Sequence, residues 1–275
     1  MNKKTHYQII TIFLLLLAIT SCKQEKKAEE TIDELEAEIT EEVEVVQPKI
    51  ILEKLEGSPT YANAALILGT PDEIVAKKSG GMDFSFNVEN YELGAQTKGS
   101  NAQKLANSGK GQHIHFILNN QPYSAHYEPS FKKEIPDGIH HLVAFLSRSF
   151  HESVKNENSV VVRKLIVGEK PEDKLSLDME APTLIYSRPK GEYSGKDTEE
   201  ILLDFFVLNT KLSKDGNKVR AKINDKEFTI TEWVPHVIKG LPMGEITIQL
   251  ELIDASGNLI PGPFNKVTRT VTLKE

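Results

Sequence analysis

The chain has 275 residues, with 33 Lys and Arg against 40 Asp and Glu, a net charge of −7, and a single cysteine, Cys22. One cysteine excludes an intrachain disulfide, so packing must supply the stability. Most of the negative charge falls in residues 23–48, and the near-neutral body beyond them argues against nucleic acid, which demands a clustered positive face.

Residues 1–21 read as a secretory signal. Lys3 and Lys4 precede an apolar run from Ile9 to Ile19 that only Thr11 interrupts, and small residues follow at Thr20 and Ser21. The run is shorter than the ~20 apolar residues that span a bilayer. Ile19-Thr20-Ser21-Cys22 resembles the bacterial lipobox. That resemblance implies that Cys22 is acylated, becomes residue one after cleavage, and anchors the protein in the cell envelope, at the outer membrane. Residues 22–48 then form an acidic tether. Ten Asp or Glu between residues 23 and 48 face three lysines, giving −7, and without the signal's two lysines the body from residue 49 onward carries only −2. Like-charged segments of this kind extend rather than collapse. The acidic stretch after the cysteine leaves both the periplasmic and the outward face open.

From residue 49 the chain repeats itself. Phe84, Phe86, Val88, Asn90 and Leu93 match Leu203, Phe205, Val207, Asn209 and Leu212 at a shift of 119, whereas Ile114, Phe116, Leu118 and Asn119 match Val219, Ala221, Ile223 and Asn224 at 105. Leu165 and Val167 match Val271 and Leu273 at 106. Two copies of one unit explain this, the first with an insertion at 94–110. Apolar residues alternate with period two in Phe84-Phe86-Val88, Ile114-Phe116-Leu118 and Ile246-Ile248-Leu250-Leu252, and turn residues such as Asn119-Asn120 and Asp215-Gly216-Asn217 punctuate them. The pattern predicts an all-β chain of two tandem immunoglobulin-like or fibronectin III-like β-sandwich domains, at 49–172 and 178–275.

The repeat also assigns faces. Because Glu245, Thr247, Gln249 and Glu251 are polar, Ile246, Ile248, Leu250 and Leu252 point inward, and a shift of 106 sends His140, Leu142, Ala144 and Leu146 inward too. Ile139, His141, Val143 and Phe145 then point outward, as do His113, His115 and Ile117. The first domain is therefore expected to carry an apolar, histidine-bearing outer face, suited to an envelope protein or ligand as partner. His113, His115 and His141 on adjacent strands, with His126 opposite His113 across a two-residue turn at Asn119-Asn120, form a candidate zinc or copper site, since His-x-His places two nitrogens on one side of a strand. The alternative is that the face is covered by residues 94–110 or by another protein, with the histidines as hydrogen-bonded filler.

A second candidate lies at 147–155. Ser147, Arg148, Ser149 and His151 put a guanidinium, two hydroxyls and an imidazole in one loop, a combination suited to an anion. The blocks 111–128 and 146–155 resemble a family of Bacteroidota-type lipoproteins, some called phosphopeptide-binding, through the Ser-Arg-x-His core of forkhead-associated domains. Here two residues separate Arg148 from His151. Enzymatic motifs are weaker. Ser149, His151 and Glu152 are triad residue types, but neighbours on one loop do not reach triad geometry. Ser108-Gly109-Lys110-Gly111 lacks phosphate-loop spacing. No catalytic residue is assigned.

Overall fold

Alternating apolar and polar residues fold into strands that bury one face each. The computed structural model describes residues 49–275, which belong to one compact unit; the signal segment, Cys22 and the tether up to residue 48 lie outside the described residues. The strands are β1 (Ile51–Lys54), β2 (Ala65–Leu68), β3 (Glu73–Ala76), β4 (Gly80–Glu89), β5 (His113–Leu118), β6 (Ser124–His126), β7 (Ser130–Ile135), β8 (Gly138–Ser147) and β9 (Val160–Val167). They continue as β10 (Thr183–Arg188), β11 (Gly191–Ser194), β12 (Glu200–Leu208), β13 (Lys218–Ile223), β14 (Lys226–Ile230), β15 (His236–Lys239), β16 (Gly244–Ile253) and β17 (Lys266–Lys274).

These form two β-sandwiches of identical topology. In the first, β2-β4-β7 packs on β3-β9-β8-β5-β6; in the second, β10-β12-β15 packs on β11-β17-β16-β13-β14. Each has one parallel pairing, β3 with β9 and β11 with β17. The repeat extends to hydrogen bonds. Asn119 donates its N–H to the His141 carbonyl and accepts the His141 N–H on Oδ1, both at 2.8 Å, and Asn224 does the same with Thr247 at 2.8 and 2.9 Å. Asn90 and Asn209 both adopt positive φ, 53° and 55°, a conformation that asparagine tolerates better than most residues.

The inward set is as the alternation requires. Ile114, Phe116, Leu142, Ala144, Leu146, Leu165 and Val167 fill the first core, and Ile246, Ile248, Leu250 and Leu252 the second. One boundary moves. β1, expected in the domain that opens at residue 49, pairs antiparallel with β15 and extends a sheet of the second sandwich. The chain thus crosses from one sandwich to the other before building the first.

The two sandwiches meet over two apolar clusters. Ile117, Val143 and Phe145 from the first pack with Ile185, Phe206 and Phe264 from the second, and Phe145 and Phe206 lie 4.5 Å apart between ring centroids. Leu105 of the insertion and Phe150 pack with Leu202 and Val237. Asn120 stitches the seam, accepting the Tyr186 N–H at 2.8 Å and donating to the Leu184 carbonyl at 3.1 Å. Those bonds, with the Leu184 N–H donating to Asn265 Oδ1 at 2.9 Å, satisfy the edge of β10, which has no neighbouring strand on that side.

Burial at this seam has a pH signature. His141, 5% exposed, stacks on Phe264 at 5.6 Å, and desolvation lowers its pKa to about 4. An unfolded histidine titrates near 6.5, so between those values the unfolded state binds the extra proton. Stability is unpenalised above about pH 6.5 and falls as pH drops toward 4, by about 1.4 kcal/mol per unit for one fully buried histidine. His141→Phe should flatten the dependence by roughly one proton. Urea titrations at pH 7 and pH 5 measure this, and equal slopes for variant and wild type would refute it.

Candidate metal centre at the sandwich junction

His113 and His115 leave β5 on the face opposite Ile114 and Phe116, so both rings enter the junction rather than the first core. Both are fully buried. The third ring comes from the loop after β8. There Arg148 N–H donates to the Glu152 carbonyl at 2.8 Å and His151 N–H to the Arg148 carbonyl at 2.9 Å. The second copy closes the same turn, with Asp254 N–H to the Asn258 carbonyl at 2.9 Å and Gly257 N–H to the Asp254 carbonyl at 3.1 Å. His151 occupies the position of Gly257, and the φ values are 70° and 86°. Glycine adopts that conformation freely, whereas a side chain costs about 1 kcal/mol or more there. The first copy accepts this strain and directs an imidazole at β5.

The nitrogens converge. His113 Nε2 lies 2.9 Å from His115 Nε2 and 3.2 Å from His151 Nδ1, and all three ligand atoms lie within 4.8 Å of one another. Bonds of 2.0–2.1 Å in a tetrahedral site would set nitrogens roughly 3.3 Å apart. His113 Nδ1–H donates to the Gly111 carbonyl at 2.8 Å, which leaves Nε2 as a lone pair. His115 Nδ1 contacts Ser187 Oγ at 3.2 Å, and Tyr123 Oη contacts His151 Nδ1 at 3.1 Å. Without a metal three of the contacts close through hydrogens, with Tyr123 donating to His151, Ser187 to His115, and His115 Nε2–H to His113, but His113 Nε2 and His151 Nδ1 are then two lone pairs facing each other at 3.2 Å. To hold a metal, His115 would take the other tautomer with Nδ1–H donating to Ser187, and Tyr123 would turn its hydroxyl hydrogen away from His151 Nδ1, leaving three lone pairs facing inward.

Burial keeps the rings neutral, the form that ligates metals. Desolvation lowers His113 to about 4, despite its bond to Gly111, and Arg188 and Lys190 push the same way. Desolvation also drives His115 and His151 well below the ordinary value, helped by their cationic neighbours. Tyr123 stacks on His115 with centroids 3.4 Å apart and is itself held protonated by burial.

Two of the expected ligands are elsewhere. His126 pairs with Ile114, not His113. The turn forms at Asn119-Asn120, with Gln121 N–H bonded to the Leu118 carbonyl, yet Phe116 pairs with Ser124, so one extra residue sits between Gln121 and Ser124, beside Pro122. A one-residue slip flips a strand's faces, and His126 stacks instead on Phe131 at 3.4 Å. His141 leaves β8 next to Phe264, opposite Asn119, at the far end of β5 from His113. Behind the ligands stand the Gly111 carbonyl and the Ser187 hydroxyl.

The predicted anion loop is engaged by its own chain. Arg148 donates from Nη1 to the Ser153 carbonyl at 2.8 Å and from Nε to the Pro59 carbonyl at 3.2 Å, and it pairs with Glu152 at 2.9 Å, both side chains 4% exposed. Ser147 Oγ donates to the Arg148 carbonyl, and Ser149 Oγ accepts the Thr97 N–H. The loop docks the second sandwich: Ser153 and Lys155 bond Asp204 of β12. Likewise the apolar face of Ile117, Val143 and Phe145 meets the second sandwich, not the insertion and not a separate partner. His151 was legible as a ligand only through its alignment with Gly257.

No family model matches the chain, and no curated protein matches it. Solved structures similar to it include the fibronectin(III)-like modules of Clostridium thermocellum CbhA, at 13% identity and TM-score 0.27 over 76% of this chain and 94% of that one. Others are the two tandem V-type regions of VCBP3, a v-region-containing chitin binding protein, at 10% identity and TM-score 0.22 over 77% and 99%. The Bacteroides ovatus mixed-linkage glucan protein SGBP-B, solved with a heptasaccharide, matches at 10% identity and TM-score 0.24 over 76% of this chain and 46% of that one.

Proposed function

We propose that this chain is a lipid-anchored envelope protein whose paired sandwiches hold one zinc or copper ion on His113 Nε2, His115 Nε2 and His151 Nδ1. The observation that carries the reading is His151. It stands at positive φ where the second copy has glycine, and it brings a third neutral imidazole to 3.2 Å from His113. Three imidazoles suit zinc and copper. Three protein ligands also leave a fourth position for water or an incoming ligand. The anchor rests on the lipobox resemblance at Cys22 and on the acidic tether, which would hold the sandwiches away from the membrane.

His151→Gly tests the reading without threatening the fold, because the second copy already closes this turn with glycine. Elemental analysis of the purified protein should find one metal per chain in the wild type and less than a tenth of that in His151→Gly. The metal-free variant should be as stable as wild type or about 1 kcal/mol more so, as the positive-φ strain is removed. Equal metal content in both would sink the assignment.

A further inference from the structure

Every deeply buried cation of the first sandwich has an acid. Arg148 has Glu152, and Lys155 has Asp204. In the second sandwich Arg220 pairs with Glu251. Arg188, at the end of β10, is the exception. It is 7% exposed, its Nη1 donates to Tyr193 Oη at 3.0 Å, and its Nε–H has no hydrogen-bond partner among the described residues. Two more cations stand beside it. Lys190 Nζ donates to the Tyr123 carbonyl at 2.8 Å and lies 3.8 Å from the Tyr123 ring centre. Arg269 donates to the carbonyls of Ser187 at 3.2 Å and Asn120 at 3.1 Å, and stacks on Tyr186 at 4.3 Å. None of the three forms an ion pair among the described residues.

A buried guanidinium without a counter-charge is costly, and like charges beside it raise the cost. The strain is visible on Lys190, whose pKa falls to about 8, from burial first and then from Arg188, Arg269 and Lys133. Tyr123, Tyr186 and Tyr193 surround the group with aromatic faces and hydroxyls, which accept hydrogen bonds and attract cations but carry no charge.

We propose that Arg188, Lys190 and Arg269 form a binding site for a small oxyanion at the sandwich junction, beside the histidine cluster. The free Arg188 Nε–H supplies an unused donor, and the planar guanidinium recognises phosphate and carboxylate by the same geometry. The site lies against the proposed metal centre, since Tyr123 touches both groups, but it does not require the metal.

Calorimetric titration of the metal-free full protein with inorganic phosphate, and separately with acetate, tests it. One anion should bind with saturation at one per chain, and the Arg188 Nε–H resonance should shift as it gains an acceptor. Lys190→Met, at a half-buried position, should weaken binding about tenfold, and Arg188→Gln should weaken it more than a hundredfold if it folds. The arm that binds identifies phosphoryl or carboxylate chemistry. Absence of saturable binding in both arms overturns the proposal, as does binding that Lys190→Met leaves unchanged, which would mean an ion held elsewhere. A protein that takes up no zinc yet binds phosphate refutes only the metal centre. One that takes up zinc and ignores both anions refutes only this site.

Discussion

Asp204→Ala is expected to destabilise the protein by about 3–5 kcal/mol, the usual result of leaving one partner of a buried ion pair alone. Asp204 is fully buried in β12, and its carboxylate accepts Lys155 Nζ at 2.7 Å, Ser153 Oγ at 3.0 Å and the Ser153 N–H at 3.2 Å. Lys155 belongs to the first sandwich and Asp204 to the second, so the pair ties the two together. After the substitution the ammonium keeps its bond to the Phe205 carbonyl at 3.0 Å and its place 5.1 Å from the Trp233 ring, but no counter-charge remains. Asp204→Ala with Lys155→Met should recover part of the loss, because neither charge is then buried. Urea denaturation of the single and double variants measures both. A single variant within 1 kcal/mol of wild type would show that the junction is not held there.

Arg148→Ala should cost about as much, 3–5 kcal/mol, and should not change anion binding. The guanidinium holds the loop after β8 to Glu152, Ser153 and Pro59, and the side chains of Arg148 and Glu152 are both buried. Without it, Glu152 stays buried with only the Ser58 hydroxyl bonded to its carboxylate. Burial already raises the Glu152 pKa, and Arg148 is the largest opposing influence, so its loss raises that pKa further. A carboxyl whose folded pKa lies above its unfolded value contributes its full stability below the unfolded pKa and loses it as pH rises. The defect of Arg148→Ala relative to wild type should therefore be smaller near pH 5 than at pH 8. A pH-independent defect would mean that the lost packing, not the stranded carboxylate, dominates.

The expected anion role of Arg148 and the buried role it has differ by contacts that no local pattern encodes. Glu152 is four residues away and was readable as a partner, but Pro59 lies far off in sequence, and Ser153 and Lys155 turn toward Asp204 of the other sandwich. Similarly, the outer face of Ile117, Val143 and Phe145 was visible as apolar from the alternation alone. Whether it faced a partner, the insertion or the second copy depended on how the two sandwiches pack. For His126, the sequence marked the turn at Asn119-Asn120 correctly, but the extra residue before Ser124 reversed the face of everything beyond it.

What the sequence by itself determined was the repeat, the strand alternation, the inward sets and the turns. These follow from side chains pointing alternately along a strand and from the backbone preferences of asparagine and glycine, both properties of near neighbours. Only the tertiary structure decided that β1 joins the second sandwich, that His151 rather than His126 or His141 meets His113 and His115, and that Arg188 has no acid beside it among the described residues. Each is a meeting of surfaces far apart in the chain, set by the packing of two finished sandwiches, and periodicity within a strand carries no information about it.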